Sequence, residues 1–449
     1  MRTRARIAAL ALLLLLVSVV PAGGLDIVDQ EWDLVALVNR SRFDAGLEPL
    51  VVRADVRAIA RTWSATMAAT GHLAHNRQVF SQVRAVIPSA NAVGENVARA
   101  SDAARVHQLW TESAPHHANM LGGFRYLGAG AAGELWATAV FVGAPAGLPG
   151  ITRVPVRRLA GADAIDTALV VSRATVADRA ADALVVARAD HFADALVGAP
   201  LAGANGGPVL LAARDGVRDA VVREARRVLR STGTIYLMGG PGALSPALEA
   251  AFAAQGLRTQ RVAGMDRYQT AVKAAALLAP APATVLLASG EAFPDALSAG
   301  VPAAVHRMPV LLTGRDALPP PTVAYLEAHR AARRVVVGGP AAVSEAVARR
   351  AGAAERVAGS NRYATAVRVA QRWFPSPGGV WAATGERHQD ALVGVPAAAR
   401  SRQPLLLLPP AGERTLYDYS RQVLRGLGQA TAVGGPAGVR EPVLSLLFN

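Results

Sequence analysis

Arg261-Val-Ala-Gly-Met-Asp-Arg-Tyr-Gln-Thr-Ala271, Phe293-Pro-Asp-Ala-Leu297 and Val335-Val-Val-Gly-Gly-Pro340 are phrases of one sentence that the chain writes three times after residue 157. Arg-x-Ala-Gly stands at Arg158–Gly161, Arg261–Gly264 and Arg356–Gly359. Asp-Ala-Leu begins at Asp194, Asp295 and Asp390, and a proline-led apolar run starts 14 residues later each time, at Pro208, Pro309 and Pro404. Gly-Gly-Pro follows from Gly239, Gly338 and Gly434. The copies are offset by 101 and then 95 residues, so each is a small domain and not a solenoid turn. One module in triplicate points to multivalent attachment more than to chemistry.

Within the second copy the pattern predicts strands over 283–289, 309–313 and 334–337, with helices from about Asp295, over 321–333 and after Ser344. Strands alternating with helices of this length make a parallel α/β layer in each copy. Ser245-Pro246 reads as an N-cap followed by proline at the first helical position. Residues 143–156, rich in Gly and Pro, read as a linker between this module and a domain of about 120 residues before it.

At 449 residues the chain has length for several cores. Residues 1–24 read as a secretory signal: Arg2, Arg4 and Arg6, an apolar run over 7–20, then small residues. That run is shorter than the roughly 20 residues a spanning helix needs, so no stable membrane insertion is expected after cleavage. There is no cysteine, which removes disulfides, thiolate chemistry and Cys-based zinc sites. No Leu-Pro-x-Thr-Gly sorting signal is seen, so surface retention would be non-covalent. The net charge of +14 is concentrated in the repeats: residues from 151 onward carry +12, and residues 25–150 carry −1. For a secreted chain the anionic partner is a wall polymer, a polysaccharide or a membrane surface rather than nucleic acid. A high-Arg composition is the bland alternative, since Lys273 is the one lysine.

The three ordered phrases resemble the cell-wall-binding repeat family, in its usual arrangement of three tandem copies. The resemblance implies three Rossmann-like subdomains about a pseudo-threefold axis, at 157–255, 256–353 and 354–449, that tether secreted proteins to anionic wall polymer. Copy one departs, with Ala164-Ile165 where the others have Arg267-Tyr268 and Arg362-Tyr363. Copy three has His388-Gln389 where the others have Phe192-Ala193 and Phe293-Pro294. If the Arg-Tyr pair touches ligand, copy one binds poorly.

The aspartates and Gly-Gly pairs fall at the carboxyl edge of parallel strands, where open α/β sheets bind ligands. An aspartate at a helix start also caps the helix or joins subdomains, and repels a bound anion. A Gly-Gly pair also makes a tight turn. For gripping polymer the arginines are better suited, because guanidinium pairs bidentately with phosphate or carboxylate. Arg223, Arg226, Arg227 and Arg230 share an i, i+3, i+4, i+7 helix face. Arg333 and Arg334 close the corresponding helix in copy two, with Arg421 and Arg425 on that of copy three. With Arg267 and Arg362 these are the candidate polymer contacts; the alternative is a solvated basic face.

Five of the nine histidines lie before the linker. Gly71-His-Leu-Ala-His75-Asn76, Gly94-Glu95-Asn96-Val97, Trp110-x-x-Ser113-x-x-His116 and Asn119-Met-Leu occur in that order, after Leu34-Val-Ala-Leu37-Val-Asn39-x-x-Arg42 and Gly46-Leu47-x-Pro49-Leu50. Tyr126-Leu-Gly128-Ala-Gly130 and Leu135–Phe141 close the set. It resembles the CAP superfamily, the SCP-like extracellular domain, over 29–143. The resemblance implies an α-β-α sandwich with a cleft at His75, Glu95 and His116. Those residues would hold a divalent cation or small ligand, exchange protons in a hydrolysis, or only satisfy one another. Ser113 stands where many eukaryotic members place a second Glu, and His117 leaves the second histidine ambiguous. No Ser-His-Asp or Cys-His order declares an enzyme. The whole reads as an α/β multidomain, envelope-associated protein. A wall-localised hydrolase and a freely secreted lipid or small-molecule carrier are the alternatives.

Overall fold

The computed structural model describes residues 26–449, and the signal sequence expected over 1–24 lies outside the described residues. The first unit begins with helix Ile27–Asp44, capped by the Asp26 carboxylate on the Val28 and Asp29 amides. Its four-stranded sheet runs Val51–Val52, Tyr126–Ala132, Trp136–Gly143, Ala92–Arg99, antiparallel except for the first pair. Alternation along the strands divides the core. Leu127, Ala129 and Phe141 pack with Trp32, Val35 and Trp110 on one face, and Tyr126, Val140 and Val142 pack with Val56, Ala60 and Val83 on the other. The result is the three-layer α-β-α sandwich. Gly128 and Gly130 bring helix Ala54–Thr70 onto the sheet, since a Cβ at either would lie 2.2–2.3 Å from that helix's backbone. Asn39 exchanges two hydrogen bonds with Leu50, and Arg42 donates to the carbonyls of Glu48, Met120 and Gly122, which accounts for the opening motif.

Each later unit is a parallel four-stranded sheet, but its fourth strand comes from the next unit. Arg258–Val262 completes the first sheet beside Leu229–Met238, and Glu355–Val357 completes the second beside Arg333–Val337. The third sheet is completed by Val156–Leu159, from the start of the first unit, beside Gln429–Val433. The ring is closed, and the boundaries expected at 157, 256 and 354 cut through shared sheets. Closure covers an edge of every sheet, which removes exposed ladder groups.

Helices Ala195–Ala204, Pro294–His306 and His388–Ser401 pack on one another at the axis. Gly203 is required there, because a Cβ would lie 2.9 Å from Ala304 Cβ and 3.3 Å from Pro396 Cα. One continuous apolar core runs through all three units, joining Leu196, Leu297 and Leu392.

The segment expected as a linker over 144–156 is pinned along its length. Tyr126 Oη donates to Pro145 O (2.7 Å), Ile151 N–H to Val52 O (2.7 Å) and Val154 N–H to Phe448 O (3.0 Å). The sandwich also docks on the third repeat. Phe43 stacks on Tyr417 at 6.1 Å, Ser445 Oγ donates to Leu50 O (2.7 Å), and Arg440 pairs with Glu48. No described helix is long and apolar enough to cross a membrane.

Candidate functional site

In the sandwich, strand Ala92–Arg99 carries Glu95 into a cleft against the loop holding His75. Glu95 is 8% exposed; its Oε2 accepts the Asn76 N–H (2.9 Å) and lies 2.8 Å from His75 Nδ1. The other oxygen, Oε1, is buried without a partner. Burial pushes the Glu95 carboxyl above the ordinary range, opposed by the Asn76 amide and His75. His116 is the second cleft histidine, its ring 5.9 Å from that of His75, and burial and then His75 lower its pKa. His117 instead neighbours His107, which bonds Ser41 Oγ at 2.9 Å, so the sequence ambiguity resolves to His116. Ser113 is extended between helices Ala103–Glu112 and Ala114–Leu121, and Glu112 accepts from Gln108, away from the cleft. Asn119 fastens the floor through Glu95 O and Asn96 Oδ1, and Asn96 holds the His116 carbonyl.

Among the described residues, no three His, Asp or Glu side chains gather in a metal-holding group. His75, Glu95 and His116 are neighbours, but the His75 nitrogen facing Glu95 is engaged by that carboxylate.

In the repeats, the motif residues build the joints of the ring. The first glycine of each Gly-Gly-Pro has positive φ, +97° at Gly239, +117° at Gly338 and +105° at Gly434. Its N–H bonds the strand donated by the next unit, at Val262, Val357 and Leu159 respectively. A Cβ there would lie 2.3–2.6 Å from Asp194, Asp295 or Asp390. The Arg of Arg-x-Ala-Gly clamps the same turn: Arg261 donates to Gly239 O, Arg356 to Gly338 O and Arg158 to Gly434 O. The same guanidiniums pair with Glu249, Glu345 and Glu441. The closing glycine of that motif donates to Thr167, Thr270 or Thr365. The first amide of each Gly-Gly pair, weighed as an anion cradle, is thus used by the sheet, and the aspartates are joint residues rather than side-chain caps. Asp194 makes no capping bond, while Asp295 has the Thr365 hydroxyl and Arg362 of the next unit beside it.

Across two joints the arginine of the later unit lies over the phenylalanine of the earlier one, Arg267 over Phe192 (5.9 Å) and Arg362 over Phe293 (5.7 Å). Each also donates to a backbone carbonyl of its own unit, Gly290 O and Gly385 O. Phe192, Phe293 and His388 form a triangle on the axis with centroids 5.8–6.0 Å apart. Copy one therefore departs as a set: Ala164 and Ile165 replace Arg-Tyr, and Ala189 replaces the glycine against which Tyr268 and Tyr363 pack.

The other candidate arginines separate. Helix Asp219–Val228 ends before Arg230, which opens the next strand and pairs with Asp182, so the four-arginine face is broken. Arg227 is held by Glu224 and Asp178, which raise its pKa further. Arg223 and Arg226 are exposed. Arg333 and Arg334 start a strand rather than close a helix. Arg333 pairs with Glu355, and Arg334 donates to the carbonyls of Ala351 and Leu326. Ser245 precedes helix Pro246–Ala253 as expected, but its hydroxyl makes no cap bond and is buried without a partner.

An α-β-α sandwich fixed to a closed ring of three α/β repeats is here matched, unit by unit, by the families of a cell-wall-associated protein carrying a CAP domain. The profile of the family "Cell wall binding domain 2 (CWB2)" matches residues 158–249, 261–348 and 356–444, and that of the "Cysteine-rich secretory protein family" (CAP) matches 35–134. The chain belongs to the cell wall binding domain 2 family. It is 27% identical over 296 residues to the N-acetylmuramoyl-L-alanine amidase LytC of Bacillus subtilis (strain 168), covering 66% of this chain and 58% of the relative. Similar solved structures include Cwp8 from Clostridium difficile, at TM-score 0.60 and 26% identity, covering 66% of this chain and 52% of that one. Cwp6 from Clostridium difficile has TM-score 0.59 and 21% identity, covering 72% of this chain and 51% of that one, a likeness of fold. The chain thus spans little more than half the length of these relatives.

Proposed function

We propose that the three repeats bind anionic wall polymer non-covalently and display the CAP cleft as a site for a small ligand or cation. The observation that carries this reading is the closed basic ring, which holds three related units rigidly and lets weak contacts act together on one polymer. Arg223 and Arg226 are the candidate contacts left on the surface, and Arg267 and Arg362 supply cations at two joints. In the cleft, the free oxygen of Glu95 suits a hydrogen-bond donor, with the exposed His75 at the rim. A cation would take His75, His116 and Glu95, and must displace the His75–Glu95 contact.

The test is pelleting of the full chain with purified wall across a salt series. Salt-dependent release is expected, with loss of pelleting when anionic polymer is stripped from the wall and no change in His75→Ala or Glu95→Gln. Pelleting indifferent to salt and to stripping would refute electrostatic attachment. Wall turnover abolished by those two variants would favour the hydrolase alternative, for which the raised Glu95 carboxyl beside His75 is the supporting observation.

A further inference from the structure

The joint that closes the ring, between the third and first repeats, is built differently from the other two. Ala164 stands where Arg267 and Arg362 stand, and His388 where Phe192 and Phe293 stand. A cavity of about 280 Å³ lies at this joint, walled by Ala164 and Thr167 on one side and by Arg387, Asp390, Gly435 and Gly438 on the other; one of about 230 Å³ lies against Asp194 at the first joint, with His191 in the place of Arg387. At the second joint, the equivalent aspartate has the Thr365 hydroxyl and the Arg362 guanidinium beside it. Asp390 is 9% exposed, lines the cavity, and has no hydrogen bond or ion pair among the described residues, Arg387 being the charge that acts on it from nearby.

A cation stands near this carboxylate on the same wall. Arg387 occupies the position of His191 in the first repeat and Ala292 in the second. It is exposed, and its guanidinium lies over Gly438, 3.2 Å from where a Cβ would stand. The cavity therefore offers a buried carboxylate and, near it, an exposed guanidinium that does not bond it; both flank Gly438. A purely anionic ligand would meet Asp390 and a purely cationic one Arg387. A compact group bearing both charges matches the two neighbouring groups.

We propose that this cavity binds an amino-acid head group, its ammonium against Asp390 and its carboxylate against Arg387. The source is either a free amino acid or a wall peptide that ends in a diamino acid with a free head group.

Calorimetry of the full chain tests it, with alanine of either hand, a soluble wall peptide of that kind, and ethylamine and propionate as single-charge controls. Alanine or the peptide is expected to bind saturably and the controls much more weakly; binding of the peptide alone assigns the wall as source. Asp390→Asn and Arg387→Ala should each weaken binding by about tenfold or more. Ala164→Arg restores the side chain of the other joints and should abolish binding while the melting temperature is retained, which separates the result from misfolding. No saturable binding of either probe overturns the proposal. So does ethylamine binding as well as alanine with Arg387→Ala silent, or undiminished binding in folded Ala164→Arg. The readout needs no wall, so absence of pelleting leaves it standing.

Discussion

At Asp295, burial pushes the carboxyl up to about 6, while the Thr365 hydroxyl and the Arg362 guanidinium pull it down. The folded state therefore holds this proton more tightly than the unfolded chain, whose aspartate titrates near roughly 4. Between those values the unfolded state binds fewer protons, so this residue's effect on stability becomes less favourable as pH rises from about 4 to 6. Asp295→Asn removes that term. Denaturant melts at pH 4.5 and 7.5 should show the variant gaining on the parent with pH, by at most about 3 kcal/mol. A constant difference would show that the carboxyl is not perturbed. The cleft carboxylate Glu95 belongs to the same class of buried acid, but its environment is split between an amide donor on one oxygen and nothing on the other.

Among the elements, close approach decides more than propensity. Helix Ala54–Thr70 rests on Tyr126–Ala132 because Gly128 and Gly130 lack side chains. Gly128→Ala should push the helix away and cost about 2–3 kcal/mol or more, read by chemical denaturation, with the far-ultraviolet helix signal kept if the unit folds. Between axis helices the same rule holds at Gly203 and Gly300, where a Cβ would lie 2.9 Å from Ala304 and 3.0 Å from Val395. Each axis helix carries Gly-x-Pro, at Gly198, Gly300 and Gly394, an uncharged recurrence that marks the helix cores. The alanine and leucine of Asp-Ala-Leu begin the buried stretch of the axis helix in every copy.

For the whole molecule, the pinned segment 144–156 and the seam with the third repeat make the sandwich and the ring one body. Asn449 is buried in that seam, its side chain accepting from Arg153 N–H and donating to Ser445. Phe43→Ala should lower stability by about 1–2 kcal/mol and speed hydrogen exchange on both sides, at Leu50 and in helix Glu441–Phe448. Exchange confined to the sandwich would show that the two parts open independently.

Much of this was legible in the chain. Recurrence at fixed spacing determined three α/β units, because period and turn chemistry are local properties; the sandwich and its cleft followed only from the family resemblance that the ordered His, Glu and Asn motifs carry. Tertiary structure alone decided which unit owns each strand, since a short parallel strand is equally compatible with its own sheet and a neighbour's. It also decided that His116 and not His117 faces His75, and that Arg227, Arg230, Arg333 and Arg334 are spent on acids and carbonyls. Helix spacing lines up like charges without saying what stands opposite. Pairing between residues far apart in the chain depends on the closure of the ring, and no local pattern encodes it.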